Sequence, residues 1–407
     1  MTSPACRRLV ALLLAALTAL AWPVTAAPRV PTRDDEVLET LPLRGRDAAA
    51  RELAALRAEA AASGPQAGDP AAAARLAQRY FDLALAQGDP RYVGYAEAVV
   101  ARFADPLGAP LRLVRAQLRQ YRHQFDAALA DLAAALALDP DLAAAHAWRG
   151  AIFLVQARYD EAGIECAALQ RLRREVLAGG CLGLLQAYGG ALAQAEATLQ
   201  QALRASVDAD QRLWLLTRLG EVAHWRGQPA RAEHHYREAL ALDRGDVYLL
   251  AAWSDFLLDS GRPGEVVALL ARWEAADSLL LRLAEAEAAL RRPEAARHRQ
   301  TLADRYASAR LRGDATHQAE QARFELRLRG DAAQALRLAA DNYRVQREPR
   351  DARILVEAAL AAGDPAAAQP VRDWLQRSGF EDVRLRRLAL AQAPAPGSTS
   401  ASASARR

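Results

Sequence analysis

Apolar positions recur three and four residues apart along most of the chain, the spacing that places side chains on one face of a helix. In the stretch Tyr121 to Pro140, the positions Phe125, Ala128, Leu132 and Ala135 mark one such face before the segment ends in Asp139-Pro140. The pattern returns in Tyr159, Ala162 and Cys166, and again in Gly220, Gly227, Ala232, Tyr236, Ala239 and Leu240. A short side chain stands near the start of every second helix, at Gly94, Ala128, Ala162, Ala195, Ala232, Val266, Ala296, Ala335 and Ala368. The successive spacings are 34, 34, 33, 37, 34, 30, 39 and 33 residues. Turn residues separate the helices, as in Gly88-Asp89-Pro90, Gly227-Gln228-Pro229, Gly261-Arg262-Pro263, Gly330-Asp331 and Gly363-Asp364-Pro365. Glycine stops the first helix and proline starts the second.

A period near 34 with these residues resembles the tetratricopeptide repeat (TPR) family. The likeness is clearest in Leu219-Gly220, Ala232, Tyr236 and Ala239. It is good in Gly150, Phe153, Tyr159 and Ala162 and in Ala128, Leu132, Ala135 and Pro140. It weakens past residue 275, where Arg323 and Val356 stand at positions that usually hold a small residue. The resemblance covers roughly residues 75–382 and is nearest to exported bacterial TPR proteins of unassigned function. It implies an all-α fold, an α-solenoid (right-handed superhelix) of about nine helix hairpins. A lone hairpin cannot bury its apolar face, so each depends on its neighbours.

Segment by segment, 1–26 reads as a signal peptide, 27–46 as an extended lead-in, and 47–74 as an N-terminal capping helix with its loop. Well-matched repeats fill 75–275 and degenerate ones 276–392, and 393–407 is a low-complexity tail expected to be disordered. The leader has Arg7 and Arg8, an apolar run from Leu9 to Trp22, and Val24-Thr25-Ala26 as a cleavage motif. Cleavage after Ala26 and a periplasmic address are expected; the alternative is a chain anchored in the membrane by an uncleaved leader. No later run reaches the length of a membrane span.

Composition supports helices: hydrophobic residues make up 52%, mostly Ala and Leu, and aromatics 6%. All 53 basic residues are arginine, so no lysine is present for a Schiff base, a P-loop or a kinase site. Without the leader, 51 basic residues face 49 acidic ones. Interleaving of the two signs reads as solvated helix faces with ion pairs and argues against a nucleic-acid partner. Cys166 and Cys181 fall on consecutive helices of an exported chain, which leaves a disulfide or two buried thiols open.

In the family, the first helices of successive repeats line a concave groove, so the resemblance implies which residues face it. Ala144, Ala147, Ala151, Leu154, Val155, Leu177, Leu184 and Tyr188 would form an apolar stretch. Trp214, Glu221, His224, Trp225, Tyr248, Asp255 and Asp259 would join aromatics to carboxylates. Aromatics beside acids suit a protein or peptide segment with apolar anchors and a basic side chain. The competing reading packs Trp214 and Trp225 between helices and leaves the acids solvated. Ala147 and Ala151 lack the Lys, Asn and Arg set of repeat domains that clamp a C-terminal carboxylate.

Chemistry is sparse: HExxH, GxSxG, P-loop, paired CxxC and EF-hand patterns are all absent from the sequence. His234-His235 is its one histidine pair, and consecutive helical residues point roughly 100° apart, so no shared metal is expected. The sequence therefore predicts no enzyme, catalytic residue, cofactor or metal, but a periplasmic scaffold holding a partner in the cell envelope. The alternative is an enzyme or accessory module acting on cell-wall glycan through groove carboxylates.

Overall fold

A computed structural model describes residues 48–62, 69–314 and 316–390. The predicted leader, the lead-in and the tail from 393 lie outside these residues. Helix α1 (Ala48–Ala62) stands where the capping helix is expected, and α2 begins at Pro70. The packing described below belongs to Glu52–Arg407, one compact unit.

Among the described residues there is no strand, and helices follow one another in packed pairs. The pairs are α2 (Pro70–Gln87) with α3 (Arg91–Val100), α4 (Ala109–Tyr121) with α5 (Phe125–Leu138), and α6 (Ala143–Val155) with α7 (Tyr159–Arg171). Next come α8 (Glu175–Tyr188) with α9 (Leu192–Ala205), α10 (Ala209–Trp225) with α11 (Pro229–Leu240), and α12 (Val247–Asp259) with α13 (Pro263–Leu270). The weaker repeats give α14 (Asp277–Ala289) with α15 (Glu294–Leu311), and α16 (Gln318–Phe324) with α17 (Ala332–Val345). The ninth pair is α18 (Pro349–Ala361) with α19 (Gln369–Ser378), and α20 (Val383–Leu390) follows it. This is the all-α solenoid that the repeat implies.

Each pair turns through a left-handed residue five positions before the short side chain. Gly190, Gly227, Gly261, Gly330 and Gly363 supply it, with φ between 68° and 80°. His123, Ala157 and Arg291 take the same conformation without glycine, at φ 56°, 58° and 56°. In the first pair the turn is Gly88, so the register falls on buried Val93, and Gly94 is exposed with nothing within 4 Å of an added Cβ. Ala296 is exposed as well; His298 and Leu302 fill the seventh pair. Elsewhere the small residue is required: a Cβ on Gly220 would lie 2.7 Å from the Tyr236 ring.

The irregular spacings have physical causes. The 37-residue step contains the long α10, 17 residues, and the 39-residue step contains α15, 18 residues, then a π-helical stretch, Glu325–Arg329, continuing α16. Several acids expected to be solvated are instead buried between helices. Asp131, 3% exposed, accepts from Arg115 at 2.7 and 2.8 Å and from Arg119 at 2.6 Å. Glu165 pairs with His146 at 2.6 Å and Arg149 at 3.1 Å. Arginine suits these places because its planar fork satisfies both carboxylate oxygens and its stem covers apolar surface. Cys166 and Cys181 form a disulfide that ties α7 to α8 across 15 residues. Of the two readings left open by the sequence, the structure takes the bonded one.

Candidate functional site

The last hairpins do not simply extend the array. They return to the middle of it, and the backbone N–H of Arg347 donates to the carbonyl of Val155 at 2.7 Å. Trp374 Nε1 donates to the Tyr159 hydroxyl at 2.8 Å, and the Leu192 N–H to Glu381 at 3.2 Å. The turn at Gly190 meets the end of α19 so closely that a Cβ there would stand 2.6 Å from the Gly379 carbonyl oxygen. Only glycine permits that approach.

Between α8, α10 and α12 on one side and the returning segment on the other lies a cavity of about 310 Å³. Tyr188, Glu221, His224, Trp225, Tyr248, Asp255 and Asp259 all line it, joined by Arg282, Glu348, Arg350, Arg353, Asp382 and Arg384. Trp214 lies elsewhere. Its ring covers Gly180, where a Cβ would come within 2.1 Å of the indole, so this tryptophan packs between α8 and α10.

The groove acids are held by arginines. Asp255 accepts from Arg282 and from Arg323, each at 2.7 Å, and Arg323 also forks onto Glu285 at 2.7 and 2.8 Å. Burial alone would raise the Asp255 carboxyl, but the two guanidinium groups overcome it and hold it below the usual carboxylate range. Asp259 receives both arms of Arg353, at 2.6 and 2.7 Å, and pairs with Arg384. Burial works against its charge too, and Arg353 wins. His224 sits 3.6 Å from Asp259 and edge-on to Phe256, and burial pushes its pKa down. Glu221 accepts from Tyr248 at 2.6 Å and from Arg218 at 2.8 Å, while the Arg218 guanidinium stacks 4.3 Å above the Tyr248 ring.

The aromatic half is filled in the same manner. Phe380, fully buried, has its ring 5.3 Å from Trp225, 5.1 Å from Trp374 and 6.4 Å from Tyr188. Asp382, with its carboxyl raised by burial, caps α20 by accepting the N–H groups of Arg384 and Leu385 at 2.8 Å each. Glu348 accepts from Arg350 at 2.8 Å, so it, Asp382 and the groove acids all have partners from the chain itself. The sequence reading missed Arg323, Arg353, Phe380 and Arg384. One signal was present: Arg323 is out of place for its repeat position, and a large cation there needs an acid to face.

His234 and His235 do not diverge as their adjacency suggests. Their ring centroids are 5.4 Å apart, and both rings turn toward Glu238. No described helix is long and apolar enough to cross a membrane.

No family model matches the chain, and no curated protein matches it. Solved structures similar to it include the APC/C hetero-tetramer Cut9–Hcn1, with 14% identity and a TM-score of 0.46. That match covers 79% of this chain and 62% of the other, so this chain spans under two thirds of its length. The P58(IPK) TPR domain aligns over 79% of this chain and 97% of its own, at 16% identity and a TM-score of 0.20. Yeast Tom70 aligns over 79% and 88%, at 10% identity and a TM-score of 0.29. Likenesses of this size carry no functional argument; the architecture rests on the chain's own hairpins.

Proposed function

We propose that the chain is a non-catalytic protein-binding scaffold of the cell envelope, whose groove takes a segment presenting arginine and an aromatic ring. The observation behind this reading is the segment already seated there. Phe380 stands among Trp225, Tyr188 and Trp374, while Arg353 and Arg384 meet Asp259. A site built from acids and aromatic faces favours that chemistry in a partner for the same reasons: charge pairing in a partly desolvated pocket and buried ring contact. Bound in cis, the returning segment competes with any partner for the site.

The test uses a labelled peptide with the sequence of Phe380–Leu390. It should bind the full chain carrying Arg353→Ser and Arg384→Ser about tenfold or more tightly than it binds the wild type. Adding Asp259→Asn should remove that gain. Equal binding by all three proteins would dismiss the groove as the recognition site. The periplasmic address is supported by the leader pattern in residues 1–26 and by the Cys166–Cys181 bond, which suits an oxidising compartment. Protein recovered from the periplasm should begin at Ala27 when its N-terminus is sequenced; retention of Met1 would favour the anchored form.

A further inference from the structure

Helix α11 carries a second, unrelated constellation. Glu238 lies four residues after His234 and three after His235, the two spacings that bring helical side chains together. Its Oε2 atom is 3.4 Å from His234 Nε2 and 3.6 Å from His235 Nδ1. One ligand atom from each of the three residues lies within 4.8 Å of the other two. A tetrahedral ion with nitrogen and oxygen ligands at about 2.0–2.1 Å separates those ligands by roughly 3.3–3.4 Å. Two edges of such a site are therefore nearly in place. The third joins the two imidazoles, and His234 is the more exposed of them, its side chain 66% exposed against 11% for His235.

A second observation singles out the same spot. His235 is only 8% exposed, and its Nδ1 atom is buried without a hydrogen-bond partner. Buried imidazole nitrogens normally find a partner, because an unmade bond leaves the desolvation cost uncompensated. The arginines of the same helix are themselves paired, Arg231 with Glu196 and Arg237 with Glu233.

We infer that His234, His235 and Glu238 form a surface site for a divalent transition-metal ion of the zinc or copper class, with a fourth position open to water. Two imidazoles and a carboxylate suit such ions and not calcium or magnesium, which prefer oxygen ligands. The site is independent of the groove.

Zinc chloride titrated calorimetrically into the tag-free full chain should show saturable binding of one ion, with calcium chloride giving none. His234→Gln and Glu238→Gln, both at exposed positions, should each weaken zinc binding by about tenfold or more. Zinc should also raise the melting temperature of the wild type and leave that of His234→Gln unchanged. Absence of saturable binding, or binding undiminished in both variants, would overturn the assignment.

Discussion

Asp351 shows how one buried carboxyl can set the response to pH. It is 1% exposed at the start of α18, where it accepts from Asn342 at 2.9 Å and from the Glu348 N–H at 3.0 Å. Burial raises its pKa from 3.8 to about 7; Arg350 pulls the other way, and the charge of Glu348 adds to the rise. The folded chain thus holds this proton more tightly than the unfolded one. The stabilisation is complete below the unfolded value and is lost as the pH rises toward 7. Other groups contribute their own slopes: burial lowers His123 to about 4, which makes stability rise with pH between there and its ordinary 6.5. The difference between Asp351→Asn and wild type isolates the carboxyl. In thermal melts, the variant should gain on the wild type from pH 5 to pH 8 by on the order of 2 kcal/mol. A constant difference would show that Asp351 does not titrate in that range.

At the scale of helices and turns, the repeat was legible because its physics is local. Short residues such as Gly220, apolar faces three and four residues apart, and glycine turns can all be read within one hairpin. His123, Ala157 and Arg291 were not legible as left-handed turns, since only their place in the array forces a conformation that L-residues disfavour. Arg291 is exposed, so replacing it with glycine loses little packing. Arg291→Gly should raise stability by about 0.5–1 kcal/mol, measured by urea denaturation. A lower midpoint would mean that the arginine side chain contributes more than its backbone costs. The candidate site was legible on one side only. Tyr188, Glu221, Trp225, Asp255 and Asp259 follow from repeat positions, whereas Phe380, Arg353 and Arg384 reach them across 94 or more residues. No periodic pattern encodes a contact that skips whole repeats.

The whole Glu52–Arg407 unit departs from a simple repeat array in being joined to itself. Ordinary solenoids are held by contacts between adjacent repeats, and their energies add along a line. Here Asp259 gathers Arg353 and Arg384, and Val155 accepts from Arg347. Removing the Asp259 charge should loosen the returning segment without melting the first hairpins. For Asp259→Ala we expect faster hydrogen exchange in Pro349–Leu390 and unchanged protection in Pro70–Val100. The stability loss should be about 2 kcal/mol, since the two arginines remain partly solvated. Uniformly faster exchange along the chain would instead mean that the closure and the array melt together.

The same joining restricts how the length of the chain can change over evolutionary time. An open row of hairpins can gain or lose a member anywhere and still fit its neighbours. Deleting one hairpin between Asp259 and Arg353 would rotate and shorten the path that brings Phe380 to Trp225, so both ends of the loop would miss. Viable relatives should therefore vary in surface residues and turn lengths while keeping the number of hairpins between those two points fixed.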